Sequence, residues 1–266
     1  MGLFRYNYDR PGPGVRKDEP RKKGIARFFE ILSRDFGDLF RANLLCLLGF
    51  VPAFFLILLG ILSNAILLAI LGGLIGGAIF GPFYAGLHDT ILRALRDEPG
   101  FWWTTYKRAF ARNWKASILP GAILGFLLSS QLFMGYCIFF LGLKISLPIM
   151  VMLLLNVLLT AMVFPFIFSQ LVLMELPFST LIKNSLLLAV GNAPKVLIMA
   201  AVQILFWVIM LLLFPFSSIV VIVFGFAFIQ LITQMFAFGI LDKTFDLERQ
   251  LKELREKDLE PRDPVV

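Results

Sequence analysis

The chain reads as an all-α polytopic membrane protein, with six transmembrane helices arranged as three hairpins, cytoplasmic interfacial amphipathic helices, and both termini inside. Three observations predict this. The composition is 59% apolar and 16% charged, with mean hydropathy +0.84. A soluble domain is typically about 45–50% apolar and about 25% charged. The stretches 43–87, 117–174 and 196–241 hold one charged residue between them, Lys144. Finally, the remaining 24 of the 25 Lys and Arg residues fall in four polar segments.

An apolar run of about 20 residues crosses the hydrocarbon core as a helix. Each long stretch is twice that or more, so each is two spans and a turn. The spans are predicted at 43–62, 65–87, 117–141, 147–173, 196–214 and 217–241. The turns fall at Ser63-Asn64, 142–146 and Pro215-Phe216. Basic residues mark the cytoplasmic side of a span. Segments 1–42, 88–116, 174–195 and 242–266 carry ten, six, two and six of them, and the other face carries one. An even number of spans with that bias puts both termini in the cytoplasm.

The polar segments follow in order. Residues 1–23 contain Pro11, Pro13 and Pro20, which remove amide donors and disfavour helix before them. An extended basic arm is expected there. From 24 to 42, Ile25, Phe28, Phe29, Leu32, Phe36, Leu39 and Phe40 recur at helical spacing, with charge opposite. That is an amphipathic helix suited to the membrane interface. In 88–116, Trp103, Tyr106, Phe110 and Trp114 repeat the design, and Lys107, Arg108, Arg112 and Lys115 offer cations beside the rings. In 174–195, Ser179 marks a helix start and Gly191 a stop. The tail 242–266 begins as a charged helix over 242–258, with Glu248/Lys252 and Glu253/Lys257 paired four apart. Asn43, Asn113 and Asn192 each stand where a polar segment meets an apolar run, which suggests a threefold repeat of interfacial helix and hairpin.

The second span carries overlapping small-residue patterns: Gly72/Gly76, Gly73/Gly77 and Gly77/Gly81. Glycines at that spacing let helix backbones approach closely. Packing inside the bundle is the first reading, and a homodimer seam the second. Cys46 and Cys137 lie in separate spans and form neither a disulfide framework nor a metal set.

The predicted spans hold no Asp, Glu or Arg, which argues against proton- or sodium-coupled transport. Their polar residues are neutral amides and hydroxyls, among them Gln131, Asn156, Thr160 and Gln170, suited to hydrogen bonds between helices. Gln203, Gln230 and Gln234 are the candidates for a neutral-solute path. His88, the only histidine, precedes Asp89 and is expected to cap the cytoplasmic end of the second span. No nucleophile–base set, phosphate loop or zinc motif occurs, so no catalytic, cofactor or metal residues are assigned. The net charge of +7 follows from topology and attraction to anionic lipid, so nucleic acid is not expected as a partner.

Several strings carry a resemblance: "GLF" at 2–4, "YDRPGPGVRKDEP" at 8–20, "RFFEILSRDFGDLFRANLL" at 27–45 and "FWWTTYKRAFARNWK" at 101–115. They resemble the YesL family of bacterial membrane proteins, with Arg5-Tyr6-Asn7 standing as a small insertion. The resemblance implies a six-span protein of the bacterial cytoplasmic membrane. It also implies association with carbohydrate ABC import systems, often those serving plant polysaccharide breakdown. The partners then expected are the lipid bilayer and sugar ABC permease or ATPase subunits. The contact residues would be Tyr8, Asp9, Pro11, Pro13, Lys17, Glu19 and Pro20 on the arm. Trp103, Lys107, Arg108, Asn113 and Lys115 would join them from the second segment. The function expected is a non-catalytic accessory or scaffold component, and the alternative is a channel or facilitator for a small neutral solute. The Glu-Ala-Ala loop by which ABC permeases engage their ATPase is missing, which counts against a permease subunit.

Overall fold

A computed structural model describes residues 21–98, 100–251 and 253. The helices in chain order are α1 Gly24–Arg34, α2 Phe36–Leu62, α3 Ile66–Leu95, α4 Trp102–Phe139 and α5 Leu147–Leu173. They continue as α6 Phe178–Gly191, α7 Ala193–Leu212, α8 Ser217–Val220, a π-helical turn Val221–Gly225, and α9 Phe226–Phe245. Among the described residues there is no strand. Six helices are long and apolar enough to cross a membrane: α2, α3, α4, α5, α7 and the continuous run Ser217–Phe245. The chain is therefore an integral membrane protein of three hairpins. Its first and last described segments meet at one end, where Arg21 pairs with Glu248. The polar segments gather there, and we call it the basic end.

Five boundaries differ from the sequence reading. The predicted interfacial helix 24–42 is split at Asp35, and its last turns belong to α2. The predicted second span stops at Leu87, but α3 continues to Leu95 and carries His88, Asp89 and Arg93 with it. The helix expected within 88–116 is not separate, because α4 runs unbroken for 38 residues. Polarity changes along α4, yet nothing between Trp102 and Ala116 stops a helix. At about 1.5 Å per residue α4 is about 57 Å long, against a hydrocarbon core of about 30 Å. In the third segment Ser179 lies within the first turn and Pro177 holds the cap position, because the chain is extended through Met174–Pro177. The tail helix is interrupted by Asp246, which has φ +52°.

Glycines hold the first three spans together. A Cβ at Gly76 would fall 2.2 Å from Ala53 Cα of α2, and one at Gly77 would fall 2.3 Å from the Gly121 carbonyl of α4. The two interleaved GxxxG rows of α3 thus serve different neighbours, Gly72/Gly76 facing α2 and Gly73/Gly77/Gly81 facing α4. Both faces are filled within one chain.

Most of the largest fully buried side chains, such as Ile31, Leu39, Leu92, Phe168, Met199 and Leu241, lie toward the basic end of their helices. At the other end, Phe139, Phe140, Leu212 and Phe216 are exposed. The packed core is therefore a platform under the polar segments.

Candidate functional site

α3 ends in a Schellman turn. The Glu98 amide donates to the Arg93 carbonyl at 3.0 Å, and the Asp97 amide to Ala94 at 3.3 Å. Asp97 takes the left-handed position at φ +55°, usually held by glycine. Three guanidinium groups then converge on this turn. Arg34 Nη2 donates to the Ala94 carbonyl (2.8 Å), Arg27 Nη2 to Leu95 (2.9 Å) and Arg21 Nη2 to Arg96 (3.0 Å). Each also pairs with the Asp97 carboxylate: Arg21 Nε and Arg27 Nη2 at 2.8 Å, and Arg34 through Nη1. The negative end of the α3 dipole and one carboxylate are thereby clamped by cations from α1 and the residues before it. Partial burial works to raise the Asp97 carboxyl, but hydrogen bonds and charges from Arg34 and Arg27 outweigh it and hold it below the ordinary value. The Asp35 hydrogen bond, with Asp97 adding to it, raises the Arg34 guanidinium against the opposing effect of burial.

Beside this knot runs a second, more deeply buried set of ion pairs. Arg93 bridges Asp89 (2.7 Å) and Glu98 (3.0 Å), and Arg96 donates to Glu98 at 2.8 Å. Two arginines and two carboxylates balance, so the burial carries no net charge. A cleft of about 320 Å³ opens between the two sets, lined by Arg34, Asp35, Thr90, Arg93, Asp97 and Trp102 among others.

His88 is fully buried rather than a cap at the end of the span. The α3 helix does not end there, and the imidazole turns inward. Its Nδ1 lies 3.1 Å from the Gln234 amide of α9, which in turn contacts Ser169 of α5 at 2.6 Å. The Ser169 hydroxyl is also 2.6 Å from the Pro165 carbonyl, and one proton cannot serve two acceptors. Turning the Gln234 amide over resolves this. Its NH₂ then donates to Ser169 and its carbonyl accepts from His88 Nδ1–H. Tyr84 packs edge-on to His88 at 4.6 Å, and Gln230 hydrogen-bonds the Tyr84 hydroxyl. Gln203 is separate from this group and donates to the Ala161 carbonyl of α5 at 2.9 Å. The three candidate path glutamines are therefore buried, and two belong to one interior cluster while the third does not. Gln170 donates to Ser185 of α6 at 2.9 Å, and Gln131 to Asn156 and Thr160 at 3.0 Å, as interhelical hydrogen bonds.

Asn43 has a role that its position in the sequence did not reveal. A π-turn replaces the regular i→i+4 bonds of a helix by wider ones, leaving backbone groups to be satisfied otherwise. The Asn43 amide supplies both kinds of partner. Nδ2 donates to the Ile222 carbonyl at 2.9 Å and to Val221 at 3.3 Å, while Oδ1 accepts from the Ala227 amide at 3.0 Å. Asn113 and Asn192, expected as its counterparts, do other things. Asn113 is buried on α4, and Asn192 separates α6 from α7 and donates to Leu188 at 3.2 Å.

Of the expected contact residues, Trp103, Lys107, Arg108 and Lys115 lie together on the exposed side of α4, and Asn113 faces inward. Lys107 sits over Trp103 and Lys115 over Trp114, at 5.4 and 5.5 Å from the ring centres. Tyr8, Asp9, Pro11, Pro13, Lys17, Glu19 and Pro20 lie outside the described residues. Sequence reasoning missed the Asp97 knot. Its only local signal was the Asp97-Glu98-Pro99-Gly100 turn, because the three arginines come from 63 to 76 residues upstream. No family model, curated protein or solved structure matches the chain.

Proposed function

We propose that this protein is a non-catalytic accessory subunit that holds a partner at the basic end of its bundle. We infer that this end faces the cytoplasm, as the distribution of Lys and Arg requires. The resemblance to the YesL family supplies the partner class, the permease or ATPase of a carbohydrate ABC importer. The observation that carries the reading is the Asp97 knot. It joins Arg21, α1 and the α3–α4 turn to Glu248 of the tail, over the most tightly packed part of the bundle. A surface fixed in this way by buried or half-buried ion pairs is prepared for docking without further ordering.

Affinity purification of the tagged full chain from its host in mild detergent tests this. A permease or ATPase subunit should be recovered, and removal of residues 1–20 should reduce that recovery while membrane insertion persists. Recovery of the chain alone would overturn the accessory role.

A facilitator for a small neutral solute is the second reading. It rests on His88 Nε2 and the Gln230 and Gln170 carbonyl oxygens, which lie in the interior with no hydrogen-bond partner among the described residues. Sugar flux into liposomes holding the purified protein alone would favour it over the first.

A further inference from the structure

We propose that the groove between the first turns of α2 and α4 seats the headgroup of an anionic phospholipid. The groove, of about 490 Å³, is lined by Asp38, Arg41, Gly100, Phe101, Trp102 and Trp103. It adjoins the cleft beside Asp97, with which it shares Asp38, Gly100 and Trp102, but the assignment of its ligand does not depend on the partner reading. It also gives Trp103, Lys107, Arg108 and Lys115 a different ligand from the one the sequence suggested.

Charge is the first argument. From Trp102 to Lys115 the projecting turns of α4 carry Lys107, Arg108, Arg112 and Lys115 and no carboxylate. Among the described residues no carboxylate pairs with Lys107, Arg108 or Lys115. Arg108/Arg112 and Arg112/Lys115 are like charges four and three residues apart on this helix, and their mutual repulsion is an electrostatic cost that an anion relieves. Arg41 joins it from α2. Asp38, at 3.2 Å from Arg41, is the one opposing carboxylate in the groove, and that pair is largely exposed.

Geometry is the second argument. Arg41 stands over the Trp102 ring at 5.6 Å and Lys107 over the Trp103 ring at 5.4 Å, and the two indoles are 5.8 Å apart. Two cations thus rest on adjoining aromatic faces at the groove. Indole rings favour the headgroup level of a bilayer. Below Arg41 on the same face of α2 run Leu44, Leu48, Val51 and Phe55, at successive steps of three and four residues, all of them exposed. A cation above an exposed apolar stripe matches a phosphate above its acyl chain. That continuity with the spanning surface identifies a lipid rather than a free anion.

The test uses the full chain in neutral detergent, with the unfolding midpoint followed as phosphatidylglycerol or phosphatidylcholine is added in mixed micelles. Phosphatidylglycerol should raise the midpoint further, and the excess should shrink in 0.5 M salt, where screening of exposed charges falls within about 4 Å. Arg41→Gln with Lys107→Gln should remove at least about half of that excess, while Arg41→Lys with Lys107→Arg keeps it, since the attraction to the anionic headgroup depends on the charge of these two side chains. Lys195→Gln, an exposed cation elsewhere, should leave it unchanged. Equal shifts with both lipids, full retention by the double glutamine variant, or the same shift with inorganic phosphate alone would each overturn the assignment.

Discussion

The two halves of the bundle are held together by different physics. In α2, α3 and α4 the helices touch backbone to backbone through glycine, and few polar side chains cross the interfaces. α5 and α7 contain no glycine, and α9 contains one, Gly239. Gly239 has no atom within 4 Å of where a Cβ would stand. There the work falls to side-chain amides: Gln203 to α5, Gln234 between α3 and α5, and Asn43 to the π-turn. The first half gains from dispersion at close approach. The second gains from hydrogen bonds whose loss would strand a polar group in an apolar interior. The difference teaches that one half tolerates no added volume and the other no lost partner.

The largest effect should come from adding volume to the first half. Gly77→Leu drives a Cβ to 2.3 Å from the Gly121 carbonyl and 2.8 Å from Gly125 Cα, and a backbone cannot step aside as a side chain can. Overpacking usually costs about 1–3 kcal/mol, and at a backbone contact the cost should exceed about 3. Folded protein recovered by detergent size-exclusion should fall sharply. Gly239→Ala should be neutral or slightly stabilising, as removal of a mid-helix glycine often is. The contrast between the halves breaks if the two variants behave alike.

Removing partners from the second half should cost less, and by graded amounts. Asn43→Leu strands two carbonyl groups of the π-turn and the Ala227 amide of α9, for a loss of about 3 kcal/mol. Gln234→Leu strands one contact each on His88 and Ser169. Single interhelical hydrogen bonds in membranes average below about 1 kcal/mol, so its loss should be the smaller. Thermal unfolding of both variants in one detergent measures the order. If Gln234→Leu is the more damaging, the interior cluster rather than the π-turn clamp organises α9.

Sequence revealed these devices unequally. The GxxxG rows were legible because the spacing that makes helices approach is local, although which row faces which neighbour was not. The six spans were legible from hydropathy. The unbroken α4 was hidden because a change of polarity at Ala116 looks like a boundary, while helix continuity depends on the absence of breakers. The extension of α3 through Asp89 and Arg93 was hidden because charge after an apolar run looks like the end of a span, whereas here Asp89 and Arg93 pair with each other at i,i+4, and Arg93 also with Glu98, while the helix continues. Asn43 stood out by position, but its partners lie about 180 residues away. That cations stand beside the rings of Trp103 and Trp114 was legible from composition, although the pairing of Lys107 with Trp103 and Lys115 with Trp114 was not.

The smallest effect sharpens the contrast at the basic end, where ion pairs rather than glycines or amides do the joining. Asp97→Asn keeps the shape of the turn and removes one charge facing Arg21, Arg27 and Arg34. The Asp97 carboxyl lies below its ordinary value of 3.8 in the folded protein. Its contribution is therefore fully present above that value and is lost as pH falls through the lower folded value. At pH 7 the wild type should be modestly more stable than Asp97→Asn, since the carboxylate is about a third exposed (32%) and its pairs are screened. Below pH 3.8 the difference should close, because both forms then present a neutral group to the same three arginines. Unfolding midpoints of the two proteins at pH 7, 5 and 3 supply the measurement. A gap that stays constant across that range would mean that the arginines hold α1 through the Ala94, Leu95 and Arg96 carbonyls alone.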